Sequence, residues 1–505
     1  MVSSLEQNGI KSPWYLSLPS ALLAGMAVCH VVATFWILSS NKELYSVLQV
    51  LQIQNFLTVP NQVTQHLLLS FKIAFLSATF FTLTLGTGVS LVFMAVGLLC
   101  ARIHKLWLGI LLFGFFMAWF LAFVNLQGFT PYATAFFIAI PPVSGGIMWR
   151  RSLLMRRQTD MGWKPKLFFL IPVVVLGLLW SFQTSETPFV DLRDTLLLSN
   201  KPGVAVNNFY YRYTLYAART FKPLAKRSMQ TVHLEGNTHS PRNLSLKRSL
   251  LRDHYLPVED SAMADVKIGF DKDQIVLTGW HREQLRISFA EFKSSPGKYL
   301  DQLSSQCDRL DYFRAMVFDS LMYGLPMAIY TFLFSLMSGI ASRRFGSSKG
   351  AGLTAIIWMV IGITLYAQLA FLANRGHNGQ SAEELLHSSS DRERLSGLRL
   401  AVNGGLDIRQ DPVYQSLLNS PRMIEKYWLA KTLAANQDPE GFKDLLRLLN
   451  DPSPNVQCQA LWALGRRPQN RPEEYIRELA RTSDHIYVQL YAFNALKRLG
   501  WRQSG

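Results

Sequence analysis

The chain has 505 residues, 49% hydrophobic, 12% aromatic and 17% charged, where an ordinary soluble domain carries about 25% charged residues. Its mean hydropathy is only +0.12 although long uncharged runs are present, so very apolar stretches share the chain with polar ones, which excludes a simple soluble enzyme. The net charge of +17 marks no nucleic-acid surface: of 51 Lys/Arg and 34 Asp/Glu, residues 186–317 hold 19 and 15 and residues 377–505 hold 17 and 15, leaving 15 basic and 4 acidic residues in the apolar remainder and its short loops.

Seven apolar runs, 14–38, 69–100, 106–127, 130–149, 166–184, 318–341 and 350–373, each meet the roughly 20 residues a helix needs to cross about 30 Å of hydrocarbon. The connections after the second run (Arg102, Lys105), the fourth (Arg150, Arg151, Arg156, Arg157, Lys164, Lys166) and the sixth (Arg343, Arg344, Lys349) carry 11 basic residues against Asp160 alone. That excess predicts that all three are cytoplasmic. A cytoplasmic N-terminus follows, with residues 39–68, 186–317 and everything after 374 on the opposite side, the arrangement of a bacterial inner-membrane protein in its lipid bilayer. The first run follows Pro13-Trp14 and reads as an uncleaved anchor. The second contains Gly86-Thr87-Gly88 and reads as one long tilted helix, because two short passes would strand Arg102 and Lys105 outside.

Ionisable residues are sparse in the spans. His30 reads as a helix-packing hydrogen bond or a proton relay, while Lys72 and Asp319 sit near ends where they reach water. In the fourth run Pro141 and Pro142 remove backbone donors and Gly145 and Gly146 loosen the next turn, which predicts a distorted helix. The break serves either as a structural kink or as a substrate gate, and no matching interruption in a second half supports an inverted repeat.

In the insert, 204–222 is predicted helical, with Phe209, Tyr210, Tyr213 and Tyr216 among basic residues, as in a helix lying at the outer bilayer surface. Beyond it, strands are expected at Thr231–Glu235, Val266–Phe270, Gln274–Trp280 and Leu285–Phe289, with a helix at Leu244–Asp253 and a hairpin turn at Asp271-Lys272-Asp273. His233, His239, His254 and His281 fall in this small α+β module without HExxH, GxSxG or a phosphate-cradling glycine loop. Four cysteines, Cys29, Cys100, Cys307 and Cys458, show neither CxxC nor Cys/His spacing. No catalytic, cofactor-binding or metal-binding residues are assigned, and a Cys307–Cys458 disulfide stays open.

From about residue 380 a period appears. Leu398–Asn403, Leu429–Ala434, Ala460–Gly465 and Ala492–Lys497 align, their markers at 402, 433, 464 and 496 being spaced by 31, 31 and 32, and Leu417-Leu418-Asn419-Ser420 returns as Leu448-Leu449-Asn450-Asp451. Two helices per repeat, with small residues at close packing positions, predict an α-solenoid. The run from Asp451-Pro452 through Val456 to Ala460-Leu461-Trp462-Ala463-Leu464-Gly465-Arg466 resembles a short HEAT-type repeat. The resemblance covers about the last quarter of the chain and implies a partner-binding platform. Among the repeat positions expected to be exposed, Tyr427, Arg466, Arg467, Tyr475 and Tyr487 are candidate contacts, because aromatic and Arg side chains dominate interface energies; Trp462 and Phe493 are assigned to the core.

The sequence thus predicts a polytopic α-helical membrane protein: spans 1–5 in 1–185, an extracytoplasmic α+β insert in 186–317, spans 6–7 in 318–376 and an all-α HEAT-like solenoid in 377–505. Its leading function is a scaffold presenting that solenoid to other envelope proteins. A transporter or channel using the fourth span, and a membrane enzyme acting on a lipid-linked substrate through the insert histidines, are the alternatives.

Overall fold

The structure, a computed structural model, describes residues 17–158, 164–182, 190, 193–236, 240–375, 381–435 and 439–503. Pro13-Trp14, Asp160 and His239, which enter the expectations above, lie outside them. In chain order the main elements are α1 (Leu18–Ile53), α2 (Phe71–Arg102), α3 (Leu106–Val124), α4 (Pro131–Gln158), α5 (Lys164–Phe182), a π-turn at Asp194–Leu198, α6 (Lys201–Thr220), β1 (Gln230–Leu234), α7 (Pro241–Arg252), β2 (Tyr255–Pro257), β3 (Val266–Asp271), β4 (Gln274–Thr278), β5 (Gln284–Ser288), α8 (Phe289–Ser294), α9 (Pro296–Gln306), α10 (Asp311–Phe345) and α11 (Ser347–Arg375). The repeat region follows as α12 (Ala382–Leu386), α13 (Asp391–Gly404), α14 (Tyr414–Leu418), α15 (Met423–Ala435), α16 (Pro439–Leu449), α17 (Pro454–Leu464), α18 (Glu473–Thr482) and α19 (Ile486–Arg498). The chain divides into two compact units, one of Met1–Ile37, Ala74–Phe189 and Arg309–Phe371, the other of Leu38–Ile73, Val190–Asp308 and Leu372–Gly505.

The first unit is built of apolar helices. Among the described residues six helices are long and apolar enough to cross a membrane, Leu18–Ile53, Phe71–Arg102, Leu106–Val124, Pro131–Leu154, Asp311–Phe345 and Ser347–Ala367, and the fifth expected run is the shorter apolar helix Lys166–Ser181. α2 runs unbroken through Gly86-Thr87-Gly88, with one π-turn at Thr82–Gly86. The hydroxyls of Thr84 and Thr87 donate to the carbonyls of Phe80 and Thr84, both at 2.8 Å, inside that widened turn. α4 is likewise helical through Pro141 and Pro142. Its glycines serve packing. A Cβ on Gly145 would stand 2.8 Å from the Phe93 carbonyl of α2, and one on Gly97 would strike the Gly145 carbonyl, so α2 and α4 touch backbone to backbone, while nothing lies within 4 Å of a Cβ on Gly146. The core between helices is aromatic: Trp36 stacks on Phe81 at 5.4 Å and meets Phe313 edge-on at 5.4 Å. His30 Nδ1 lies 2.8 Å from Thr82 Oγ1 and its ring 4.3 Å edge-on from Phe75, the packing arrangement rather than a chain of proton-carrying groups.

In the second unit the insert forms a five-stranded mixed sheet in the order β2-β1-β3-β4-β5. β1 is parallel to β2 and β3, and β3, β4 and β5 are antiparallel neighbours. The parallel β1–β2 pair is joined by α7, as a crossover requires. Ser240 caps α7 by accepting from Asn243 N at 3.2 Å, with Pro241 in its first turn. The expected hairpin turns at Lys272, whose φ of +54° supplies the tight reversal between Asp271 and Gln274. Alternate residues Val266 and Ile268, Ile275 and Leu277 face one core with Leu246, Leu250, Phe292, Leu300 and Leu303, the period of two that a one-sided sheet needs. Cys307 and Cys458 are free thiols: Cys307 Sγ lies 3.5 Å from Glu283 Oε2, and Cys458 is buried inside α17.

Candidate partner-binding surface

The repeat helices stack α13 on α15, α15 on α17 and α17 on α19. Marker residues fill the seams: Leu429, Ala460, Leu464, Ala492 and Leu496 are fully buried, so the 31-residue spacing is a packing period. The capping box of Ser381 and Glu384 sets the start of α12, and α17 opens with Pro454 in its first turn, where a missing N–H costs nothing.

One face of this solenoid is covered by the chain itself. The π-turn after Arg193 inserts Asp194, whose carboxylate is wholly buried, between Arg193, Arg399 and the indole of Trp428. Trp428 Nε1 donates to Asp194 Oδ2 at 2.8 Å, Arg193 Nε to Oδ1 at 2.9 Å, and Arg399 lies 2.5 Å from Oδ2. Gly203 permits this seat, since any Cβ there would run into the Leu196 carbonyl. Lys431 lies with its ammonium 4.5 Å from the Trp428 ring centre, and burial, followed by the Arg193 cation, lowers its pKa from the usual lysine value. Residues 57–64 cover a second stretch. Asn61 Nδ2 donates to the carbonyls of Ala480, Arg481 and Ser483 at 3.1, 3.0 and 2.9 Å. Its N–H donates to Gln489 Oε1 at 2.9 Å, and Gln503 exchanges two hydrogen bonds with the backbone of Leu57, at 2.9 and 2.7 Å.

This covering sorts the five candidate contacts. Tyr427 is 4% exposed, its hydroxyl accepting from Arg193 Nη1 at 3.2 Å. Arg467 is 0% exposed and donates to the Leu433 carbonyl. Both were expected at the surface and are interior, because Arg467 reaches the Leu433 carbonyl in the last turn of α15 and the π-turn covers Tyr427. Tyr487 is half-buried, its hydroxyl 3.3 Å from Thr214 and its ring 4.7 Å from Tyr211 of α6; burial pushes its pKa above the ordinary tyrosine value. Arg466 and Tyr475 remain outward, Arg466 with its guanidinium 3.6 Å from the Trp462 ring centre and Tyr475 57% exposed. On α6, Phe209 and Tyr210 are exposed, Tyr213 is half-buried and Tyr216 is buried. Burial raises Tyr216 to about 12. Phe493 is core, as assigned, whereas Trp462 is half-buried beneath Arg466.

The insert histidines take separate places. His233 Nδ1 lies 3.1 Å from the Val258 carbonyl, His281 donates its backbone N–H to Glu283 at 3.1 Å, and His254, in a left-handed backbone conformation, faces the Phe493 ring at 6.1 Å. Burial, then Lys497 and Arg502, hold His254 down at about 4. Its folded pKa is below the unfolded value of about 6.5, so the stability it contributes is complete above that pH and lost as pH falls from 6.5 towards 4. His254→Gln is expected to flatten the fall of the unfolding midpoint across that window, read as the wild-type minus variant difference in a pH series of thermal melts. Among the described residues, one group of His and carboxylate atoms lies within 4.8 Å of one another, Glu383, His387 and Asp411, and it stands at the surface.

Asp194, Arg399, Trp428, Asn61 and Gln489 escaped the sequence reading. Their partners lie hundreds of positions away, 428 in the case of Asn61 and Gln489, and no local pattern marks them. Residues 411–497 match the family model for HEAT repeats. No curated protein and no solved structure matches the chain.

Proposed function

We propose, on the premise that residues 411–497 are HEAT repeats, that this chain is an integral membrane scaffold of a bacterial inner membrane. It presents its solenoid and α+β insert to another envelope protein on the extracytoplasmic side. The HEAT match carries the reading, because stacked helix pairs give a protein-binding surface without a deep catalytic pocket. Six long apolar helices and the basic connections at Arg102, Arg150, Arg151, Arg343 and Arg344 support the membrane setting and orientation.

Of the candidate contacts, Arg466 and Tyr475 are the ones left at the surface, since Tyr427 is covered by the chain's own Asp194 turn. A guanidinium lying on an indole, and an exposed phenol, are each side chains of the kind that anchors interfaces. Arg466→Glu with Tyr475→Glu is expected to strip specific envelope proteins from the complex isolated in mild detergent, read by mass spectrometry, while the melting profile stays that of wild type. The same bound proteins in wild type and variant, or a chain that isolates alone, would refute it.

A further inference from the structure

The second unit contains a cavity whose polar lining is rich in cationic donors. Its walls come from the far end of α1, residues 59–68, α6 with the loop after it, and α19, and its polar groups are Asn41, Tyr216, Arg219, Lys222, Arg227 and Ser228. About 30 Å³ is open to the centre of a water molecule, about two to three times the least that holds one water. Three of these side chains are cationic. Two carboxylates act on them: Asp265 pairs with Arg227 Nη1 at 2.9 Å, and the exposed Glu43 reaches Arg219 through its field.

The pairing leaves a consistent remainder. Arg219 Nη1, Arg227 Nε and Asn41 Nδ2 are buried and make no hydrogen bond, and Asn41 is only 1% exposed. All three atoms are donors. Buried donors without acceptors cost free energy, and buried cations cost more. Water would satisfy the donors and leave the charge, whereas an oxyanion answers both. Burial, followed by repulsion from Arg227, lowers Arg219 to about 9 against the pull of Asp265 and Glu43, and burial then Arg219 lowers Lys222, as expected of cations buried close together.

We infer that this cavity is an anion site for a phosphate-type group, held by Arg219 and Lys222 with the Nε–H of Arg227 and the amide of Asn41 as orienting donors. The group is either free phosphate or the phosphodiester of an anionic lipid headgroup, which share this chemistry. The apolar part of the wall, Leu44, Leu68 and Leu490, suits either. The inference stands apart from the partner-binding reading, since neither Arg466 nor Tyr475 lines the cavity.

The test uses the full-length chain in a nonionic detergent without phosphate. Inorganic phosphate is expected to raise the unfolding midpoint in a saturable manner, and chloride at equal ionic strength is expected not to, because a ligand bound only by the folded state stabilises it by mass action. Arg219→Met removes a buried cation crowded by Arg227 and Lys222, so its midpoint without phosphate should exceed wild type while the phosphate increment disappears. Lys222→Met and Asn41→Leu should each weaken phosphate binding, the lysine change by about tenfold or more, the worth of one charge-assisted hydrogen bond. A second arm adds phosphatidylglycerol or phosphatidylcholine to the micelles. A shift with phosphatidylglycerol but not with free phosphate assigns the headgroup; a shift with phosphate alone assigns the small anion. No shift of wild type in either arm, or increments unchanged in all three variants, overturns the site.

Discussion

Asp194→Ala is expected to cost about 3 kcal/mol of stability, the lower end of the range for deleting one partner of a buried charge cluster, because both arginine side chains retain some contact with solvent, at 25% and 23% exposure. The carboxylate neutralises Arg193 and Arg399 at once and accepts the hydrogen bond of the Trp428 indole N–H. Alanine leaves two cations facing each other over an unpaired donor. Asp194→Asn keeps one acceptor and removes the charge, so its loss should fall between alanine and wild type. Adding Arg399→Met to Asp194→Ala should recover part of the loss, giving a non-additive double-mutant cycle. Thermal melts of the intact chain, followed by tryptophan fluorescence to watch Trp428, decide the matter. An unchanged midpoint in Asp194→Ala would show that the turn does not seat on the repeats.

The second large effect is expected from Asn61→Leu, at about 2–4 kcal/mol, since an isosteric apolar side chain deserts three carbonyls at one helix end and each deserted buried group costs about 1–3 kcal/mol. α18 ends with the carbonyls of Ala480, Arg481 and Ser483 turned towards Asn61, where a helix has no backbone donors of its own to offer. The Asn61 amide oxygen in turn accepts from Thr64 N and Thr64 Oγ1, each at 3.1 Å, so one side chain both caps α18 and folds its own loop. Gln489→Leu should give a similar loss, because Gln489 Nε2 donates to Thr64 Oγ1 at 2.9 Å and to the Ser483 carbonyl at 2.8 Å. The effect should be local as well as global. Hydrogen exchange should accelerate in residues 55–65 and in the last turn of α18 before other repeats respond. Uniform exchange across the whole solenoid would contradict the capping role.

Much of the architecture was written in local pattern. Apolar runs of spanning length stand where the long helices of the first unit lie. The alternation of Val266, Ile268, Ile275 and Leu277 and the Asp271-Lys272-Asp273 turn specified the hairpin, and the 31-residue period specified the solenoid. Each of these signals sits within a few residues of what it determines. Where the reading failed, the competing effect was tertiary. Tyr427 is interior because a turn from outside the repeats covers it, and Arg467 because it reaches the Leu433 carbonyl of a neighbouring repeat helix.

The sequence by itself determined the kinds of element and their order, because helix period, strand alternation, turn chemistry and repeat length are properties of neighbouring residues. It also determined that the last quarter is a HEAT-type solenoid, which the match at residues 411–497 bears out. Tertiary structure alone decided which parts of that solenoid the chain itself covers. That outcome depends on a carboxylate at 194 meeting Arg399 and Trp428, and on an asparagine at 61 meeting the end of α18. Pairings across such separations leave no periodic trace, since a single buried polar group is worth kilocalories when its partners are in place and nothing recognisable in composition. The same reason hid the cluster of Asn41, Arg219 and Arg227, three ordinary polar residues until the fold closes an apolar wall around them.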